Sequence, residues 1–377
     1  MKYRLNSILR CPECNSFFAL HVFEEEERFP GNNYRLDSSI CSRRCSFREQ
    51  KACRKCASLE IVTGLLACEC GNLYPIVNYV PRVYPSAFNE FPDYAVRYKN
   101  IIKEKLNASV QGKKLTELEK LCESTKIAFQ MQWQEWGSEE KIFGKNYEET
   151  KEYLVKHLTP SYAGEQYYSP DKLILDAGCG HGRYIEVISK DYGSEAVGLE
   201  LSRAADVAWD HNKENIAAHI VQGNILFSPF DHKTFDFVFS SGVIHHTPDT
   251  RWAFHQLAEL VKTGGFYSIW VYPKWSWLWE TTQGLIRGIT TKLPPRLLYF
   301  LCYIPVPLLS IFPTYSHTKL GKANWRQCAQ VVWDFYSPRY QTHHTIEEVN
   351  QWFREEGFSD IKNNEPPVNA FEKKIRR

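Results

Sequence analysis

The sequence predicts an α/β fold, in which helices cover a largely parallel sheet, and three observations lead to it. An apolar run at residues 173–177 is followed at once by alternating glycines, at positions 178, 180 and 182. A helix-like segment, RYIEVISK, comes next. A second apolar run then ends in a carboxylate, Glu200, 18 residues beyond the last glycine. A strand, a glycine turn and a helix in this order are typical of a nucleoside-bearing cofactor held at the carboxyl ends of parallel strands.

The spacing of the glycines argues against a dinucleotide cofactor. The dinucleotide pattern has glycines at positions 1, 3 and 6, and position 6 counted from Gly178 is Arg183. Asp176 can accept hydrogen bonds from an ammonium group, and Glu200 can accept from both hydroxyls of a ribose. These groups favour an adenosine that carries a charged amino acid over a pyrophosphate. The alternative is a tight strand-to-helix turn that binds no ligand.

Four segments resemble the class I S-adenosylmethionine-dependent methyltransferases, in particular their ubiquinone and menaquinone type. One is the glycine loop itself. The segment at 221–230 resembles the stretch after the third strand, and the segment at 235–249 resembles the fourth strand and the loop after it. The segment at 257–271 resembles the next helix, its glycine turn and the fifth strand. The resemblance implies a Rossmann-like core of seven strands, a methyltransferase domain over residues 169–377, and S-adenosylmethionine as the cofactor.

The same resemblance implies which residues bind the cofactor. They belong to the glycine loop or lie at the ends of the next three strands, and the full set is Asp176, Gly178, Cys179, Gly180, Gly182, Glu200, Leu201, Asn224, Ile225 and Ser241. One of them departs from the family, because Asn224 stands where an aspartate beside the adenine is usual. An amide oxygen can still accept a hydrogen bond from the adenine amino group, so we expect the cofactor to bind.

The composition is that of a folded enzyme. The 377 residues are 43% hydrophobic and 14% aromatic, enough to bury a large core in two or three domains. A formal net charge of +2 gives no electrostatic reason to expect a nucleic acid partner. The first residues, MKYRLNSILRCPEC, hold no apolar run of signal-peptide length, so we expect a cytoplasmic protein.

Eight of the twelve cysteines lie in four close pairs between residues 11 and 70. Without a secretion signal, such pairs indicate metal ligands before disulfides, because four thiolates bind zinc tetrahedrally. The first and last pairs, with the YPI…PR sequence beyond them, resemble the small zinc-ribbon family that includes the activator subunit of tRNA-modifying methyltransferases. The resemblance implies a zinc-ribbon domain over residues 1–84, with zinc held by Cys11, Cys14, Cys68 and Cys70.

The two inner cysteine pairs depart from the zinc-ribbon pattern. They allow a second zinc site at Cys41, Cys45, Cys53 and Cys56, and they leave open a sequential pairing, in which the first two pairs share one ion and the last two another. Six basic residues against one acid lie in the same segment, 41–56. We interpret them as a solvated face balanced by the acidic run at 24–27, and phosphate binding is the alternative.

Residues 85–168 are polar and helix-permissive, and the resemblance implies a helical linker that folds over the cofactor as a lid. Three aromatic residues in its middle, Phe129, Trp133 and Trp136, either cover the cofactor or seat the helical segment on the core. The sequence favours neither role over the other.

An insertion at 273–342 comes after the predicted fifth strand. The family continues there with a helix and two closing strands, and a capping box of Thr345 with Glu348 places this helix at 345–358. The insertion holds eight basic residues against two acids, and an apolar run at 297–312 that its prolines make too short and broken to span a bilayer. Peripheral membrane contact is one role for it. A cover on the substrate pocket is the role that we favour.

Two adjacent histidines are the candidates for catalysis. His245 and His246 lie after the predicted fourth strand, where the resemblance places contacts to cofactor and substrate. A neutral imidazole near pH 7 can act as a general base, so His246 is the first candidate and His245 the second. The alternative is a purely architectural loop. His343 and His344 are weaker candidates still.

Methyl transfer to a small-molecule, sugar or lipid-linked acceptor is the function that these observations favour. The stretch SSGVIHH lacks the Asn-Pro-Pro-Tyr-type motif of enzymes that methylate amino groups of nucleic acid bases. An RNA base methyltransferase guided by the zinc domain is the second hypothesis, since zinc ribbons occur fused to rRNA guanine methyltransferases. A non-catalytic binding protein is the third, and the intact set of Asp176, the glycines and Glu200 argues against it.

Overall fold

A computed structural model describes residues 1–28, 58–106, 117–160, 164–304, 325–364 and 369–374. Four cysteines of the proposed second zinc site lie outside these ranges, and so do the basic segment around them and the second half of the apolar run at 297–312.

Eleven strands and eleven α-helices are found in these ranges. Strands β1 to β11 span Phe18–Glu27, Leu59–Cys68, Leu73–Val77, Val80–Val83, Leu173–Ala177, Glu195–Glu200, Ala218–Gly223, Phe235–Ser241, Val261–Trp270, Phe358–Asn364 and Asn369–Lys374. Helices α1 to α11 span Ala87–Glu90, Pro92–Leu106, Glu117–Trp136, Tyr147–Tyr153, Arg183–Asp191, Ala204–Asn212, Thr250–Glu259, Trp277–Thr290, Pro295–Leu301, Trp325–Tyr336 and Ile346–Glu355.

The seven strands β5 to β11 form the core of one sheet, in the order β7-β6-β5-β8-β9-β11-β10. Strands β5 to β9 pair in parallel, and β11 runs antiparallel to both of its neighbours. The parallel strands are continuous apolar runs such as LILDA, which suits strands buried on both faces. The predicted α/β class with a Rossmann-like core of seven strands is therefore confirmed. Helix α11 begins at the predicted cap, where the Thr345 hydroxyl accepts from the Glu348 amide.

The first four strands extend the same sheet beyond its edge strand β7. Strands β1 to β4 form an antiparallel meander, and β4 pairs with β7 in parallel, with Arg82 opposite Gln222. The fully buried Arg82 guanidinium donates to the Gln222 side chain (2.7 Å) and to the Val77 carbonyl (3.0 Å), and it forms an ion pair with Asp206 on α6. This side chain thus fixes the cysteine-bearing segment to the core.

A cap of helices, which we define as α3 together with α8, α9 and α10, packs on the core near the glycine loop. Its own small core joins Trp136 on α3, Leu298 on α9 and Trp333 on α10, and the Trp333 indole donates to the Ala128 carbonyl (3.1 Å). On the side of the loop, the Trp133 ring stacks on His181, with 4.9 Å between the ring centroids. Helix α3 of the predicted lid therefore packs in one unit with helices α9 and α10 of the predicted insertion.

The length and the hydropathy of the helices decide whether any of them could span a membrane. Within the described ranges, none of them combines the length and the apolar character needed to cross a membrane.

Candidate active site

The glycine loop between β5 and α5 is held in a conformation that L side chains rarely adopt. Gly178, Gly180 and Gly182 have φ values of +89°, +55° and +84°. The amides of Gly178 and Cys179 both donate to the Leu199 carbonyl, at 2.7 and 3.1 Å, and so tie the loop to β6. A Cβ atom at Gly178 would lie 2.5 Å from the Val243 side chain. Glycine is required here by both the backbone angle and the available space.

Glu200 ends β6 beneath this loop. Its side chain is buried; Oε2 accepts from the Gly180 amide (3.1 Å), and Oε1 accepts from the amide and the hydroxyl of Ser202 (2.8 and 2.7 Å). These bonds fix the orientation of the carboxylate. A carboxylate has about four acceptor positions, so at most one remains for a ligand hydroxyl, where the sequence led us to expect two.

Asp176 ends β5 and carries a buried oxygen that no other described residue satisfies. The side chain is 2% exposed, and Oδ2 has no hydrogen-bond partner among the described residues. Burial raises the pKa of this carboxyl to about 8. An unpaired buried carboxyl is unfavourable, so a cationic donor brought to this position would gain a strong interaction.

Asn224 uses its amide within the chain. The side-chain oxygen accepts from the Leu226 amide (2.9 Å), and the nitrogen faces the sulfur of Cys122 on α3 at 3.7 Å. Any hydrogen bond from an adenine amino group must therefore share an oxygen that already holds the turn after β7. The contact with α3 was not predicted, because nothing in the sequence relates Cys122 to this turn.

A single cavity of about 540 Å³ collects most of the predicted cofactor residues. Eight of the ten line it, namely Asp176, Gly178, Cys179, Glu200, Leu201, Asn224, Ile225 and Ser241. Gly180 and Gly182 do not. A Cβ at Gly180 would lie 2.6 Å from the ring of Trp133, and one at Gly182 would lie 2.6 Å from the Asn212 amide nitrogen, so both are covered by neighbouring side chains.

The cap and the start of the insertion supply part of the remaining wall of the cavity. The insertion contributes Trp275, Val331, Asp334 and Phe335, and α3 contributes Phe129, Gln132 and Trp133. Phe129 and Trp133 thus face the cavity, while Trp136 is buried in the core of the cap, so both roles considered for these aromatics occur. The residues of the insertion were missed by sequence reasoning, since no motif marks them.

Asp334 is the acid that the insertion contributes to this wall. Its carboxylate accepts from the Tyr272 hydroxyl (2.7 Å) and from the Gln132 amide (3.3 Å). Burial raises the pKa of Asp334 to about 6, against the hydrogen bonds from Tyr272 and Gln132, which lower it. The pair of Tyr272 and Asp334 is a polar position in a wall otherwise rich in aromatic side chains.

His246 lines the cavity as a neutral imidazole. Its Nδ1 lies 3.0 Å from the Tyr340 carbonyl, which can only accept, so Nδ1 carries the proton and Nε2 carries the lone pair. Nε2 has no hydrogen-bond partner among the described residues. Burial lowers the pKa of His246 to about 3, so the ring is neutral at physiological pH.

The other histidine candidates are placed differently. His245 is fully buried behind the cavity wall, against the Tyr272 ring at a centroid distance of 4.1 Å, and neither ring nitrogen is paired within the described residues. Burial sets its pKa well below the ordinary value. His343 pairs with Glu280, and His344 contacts Glu348 and Thr342 at 3.0 and 2.9 Å. These two histidines hold the insertion in place.

The part of the chain from β5 to β9 is similar to a known protein family. Residues 175–269, from β5 to β9, match the sequence model of the family described as Methyltransferase domain. This part of the chain is a class I methyltransferase domain.

The relatives of this methyltransferase domain share a limited region with the chain. A 24-methylenesterol C-methyltransferase of Arabidopsis thaliana is 29% identical over 30% of this chain and 31% of its own length. A ubiquinone biosynthesis O-methyltransferase of Coxiella burnetii is 29% identical over 30% of this chain and 49% of its own length. The chain thus spans less than half the length of either relative.

Solved structures resemble the chain at low identity. A complex of the Haloferax volcanii Trm112 methyltransferase activator with a methyltransferase aligns with a TM-score of 0.42 and 13% identity, over 67% of this chain and 98% of that one.

A cluster of four cysteines lies outside residues 175–269, which match the methyltransferase domain. The sulfurs of Cys11, Cys14, Cys68 and Cys70 all lie within 4.8 Å of one another, and the pairs 11/70, 14/68 and 68/70 are 3.7, 3.2 and 3.3 Å apart. Tetrahedral zinc with bonds of about 2.3 Å places its sulfur ligands about 3.8 Å apart, so the set fits this ion. The Asn72 amide donates towards Cys70 at 3.2 Å, as groups around metal-bound thiolates do.

We expect the double substitution Cys11→Ser with Cys14→Ser to remove bound zinc. Two of four thiolates are then lost, and the short segment around them loses the stabilisation that the metal supplies. Zinc per chain is measured by atomic absorption on the purified protein, with proteolysis of the first 84 residues as a second readout. Cys328→Ser, on α10 and outside the cluster, is the control and keeps its zinc. Full zinc in the double variant would contradict the assignment of these four ligands.

Proposed function

We propose that this protein transfers a methyl group from S-adenosylmethionine to a small-molecule acceptor that is largely apolar, such as a lipid-linked one. The observation that carries the proposal is the single cavity, which is lined both by the cofactor residues Asp176 and Glu200 and by the aromatic side chains of the cap. At about 540 Å³ it lies within the range of about 300–1,000 Å³ that is usual for ligand pockets.

The cofactor end of the cavity fits S-adenosylmethionine. The free oxygen of Asp176 suits the ammonium group of its amino acid part, and Glu200 suits a ribose hydroxyl. When bound, this cofactor supplies a methyl group that is already activated on a sulfonium. The chain is left with three tasks, which are to bind both reactants, to orient them and to exclude water.

The acceptor end combines apolar surface with a few polar groups. Phe129, Trp270, Trp275 and Phe335 give it aromatic walls, and His246 Nε2 can take a proton from an acceptor that must lose one. The sterol and quinone acceptors in the names of two relatives are apolar as well. An RNA base has less support as the acceptor, since the formal net charge of the chain is only +2.

Zinc and the division of the chain belong to the same proposal. We assign a structural zinc ion to the four clustered cysteines, a zinc-ribbon domain to residues 1–84, a helical linker and lid to 85–168, and the methyltransferase domain with its insertion to 169–377. The cysteine geometry supports the first assignment, and the packing of α3 in the cap supports the lid. We also place the protein in the cytoplasm.

Binding of S-adenosylmethionine is expected to be linked to proton release from Asp176. The pKa of this carboxyl is about 8 in the free protein, so it is mostly protonated below that pH, whereas an ammonium ligand favours the ionised form. The affinity should therefore rise by up to about tenfold per pH unit between pH 5.5 and 7.5. Isothermal titration in buffers of different ionisation enthalpy measures both the affinity and the proton count.

The matched control for this experiment is Asp176→Asn, which has nearly the same shape and no proton to release. It should bind the cofactor more weakly and with little dependence on pH. Equal proton release by the wild type and the variant would show that another group titrates, and it would remove Asp176 from the site.

Substitution of His246 by alanine is expected to slow methyl transfer by about 100- to 10,000-fold, since this is the usual contribution of a general base. The affinity for the cofactor should stay close to that of the wild type. Transfer of labelled methyl from S-adenosylmethionine into a lipid extract of the source cells measures the rate. His232→Ala, on a side chain that is 55% exposed, serves as the control. A His246→Ala variant with the wild-type rate would leave this residue a structural role alone.

A further inference from the structure

We propose that helices α8 and α9 form a membrane-docking face that seats the protein on an anionic lipid surface beside its cavity. We define this docking face by its most exposed apolar residues, which are Trp277, Leu278, Leu285, Ile289, Phe300 and Ile304. The docking itself is independent of the catalytic proposal. The transfer of an acceptor from the lipid to the cavity does depend on the catalytic proposal.

Helix α8 turns its polar side towards the protein. Gln283 is its buried residue, 4% exposed. The Arg287 guanidinium donates to the Pro338 carbonyl (2.6 Å), to the Gln341 side chain (2.8 Å) and to the Phe335 carbonyl, and Thr290 donates to the Tyr336 carbonyl (3.0 Å). The helix is therefore fixed to the insertion by hydrogen bonds, which is the reverse of a helix that packs its apolar side on a core.

The apolar side of α8 faces outwards. Leu278, Leu285 and Ile289 share one face of the helix and are 62%, 71% and 67% exposed. Phe300 on α9 and Ile304 just after it are exposed to a similar degree. Side chains of this size are normally exposed singly, and a group of them on neighbouring helices marks a surface that is covered when the protein works.

The charges around the docking face favour a lipid surface over a protein partner. Between residues 273 and 304 the sequence has four basic residues and one acid, Glu280. The Glu280 carboxylate is occupied within the chain, by His343 and by the Trp275 amide. Lys274, Lys292 and Arg296 are exposed. Exposed cations and tryptophans beside an apolar helix face are the features of a helix that lies in the interface of an anionic membrane.

The docking face continues into the wall of the cavity. Trp275 lines the cavity and lies just before the Ser276 cap of α8. Phe335 also lines it, and its carbonyl accepts from Arg287 on the same helix. A protein docked through this face would bring the aromatic end of its cavity close to the lipid. An acceptor with an acyl or polyprenyl tail could then move between the two without crossing water.

Flotation of the full-length protein with vesicles tests the proposal. We expect it to float with vesicles of phosphatidylcholine and phosphatidylglycerol in equal parts, to bind vesicles of phosphatidylcholine alone more weakly, and to lose part of its binding as salt is raised. Leu285→Glu should lower the affinity for the anionic vesicles by about tenfold or more, because it removes an exposed apolar side chain that docking would bury in the lipid and adds a charge that anionic lipid repels.

The control is Val96→Glu, which places the same charge at a residue that is 78% exposed on α2, away from the docking face, and which should bind as the wild type does. Zinc content and S-adenosylmethionine affinity, measured on all three proteins, show that each is folded. Wild-type protein that stays in solution, or equal vesicle binding by Leu285→Glu, would overturn the proposal. So would concentration-dependent dimerisation that Leu285→Glu abolishes while vesicle binding persists, since the face would then join two copies of the chain.

Discussion

The attachment of the glycine loop to the end of β6 is the constraint on which the rest of the structure depends. Two amides of the loop reach one carbonyl, that of Leu199, and the Gly180 amide reaches the Glu200 carboxylate. These bonds hold the loop in a conformation with positive φ. Beside the loop, the buried Oδ2 of Asp176 has no hydrogen-bond partner among the described residues. A buried carboxyl with an unpaired oxygen is unfavourable, and a cationic ligand at that position would stabilise it.

The methyltransferase core could be predicted from the sequence because its signals are local. The strand that ends in Asp176, the glycines after it and Glu200 at the end of the next apolar run lie within thirty residues, and the Thr345 cap marks its helix by itself. The cluster of Cys11, Cys14, Cys68 and Cys70 could also be predicted, because the resemblance to zinc ribbons implied that the first and last cysteine pairs come together. The spacing of the cysteines did not predict the pairing of β4 with β7, which joins the cysteine-bearing segment to the core.

The acceptor end of the cavity could not be predicted, since it is assembled from distant parts of the chain. Gln132, Tyr272 and Asp334 come together through the packing of α3 against α10, and the alternation of polar and apolar residues says nothing about which helices meet. The same packing explains why Trp136 and Trp133, three residues apart, have different roles. The same packing turns the polar side of α8 towards the protein. From amphipathicity alone, the apolar side of the helix would be expected to face the protein.

Titration of S-adenosylmethionine into the purified protein and into Gly180→Arg tests the central claim, that the glycine loop holds the cofactor. A side chain at Gly180 meets the Trp133 ring at 2.6 Å and a φ of +55°, so it must disturb the cavity. Gly164→Arg, at a φ of +50° and with open space around it, is the matched control. The account predicts binding by the wild type and the control, and none by Gly180→Arg. Equal affinity in all three proteins would contradict it.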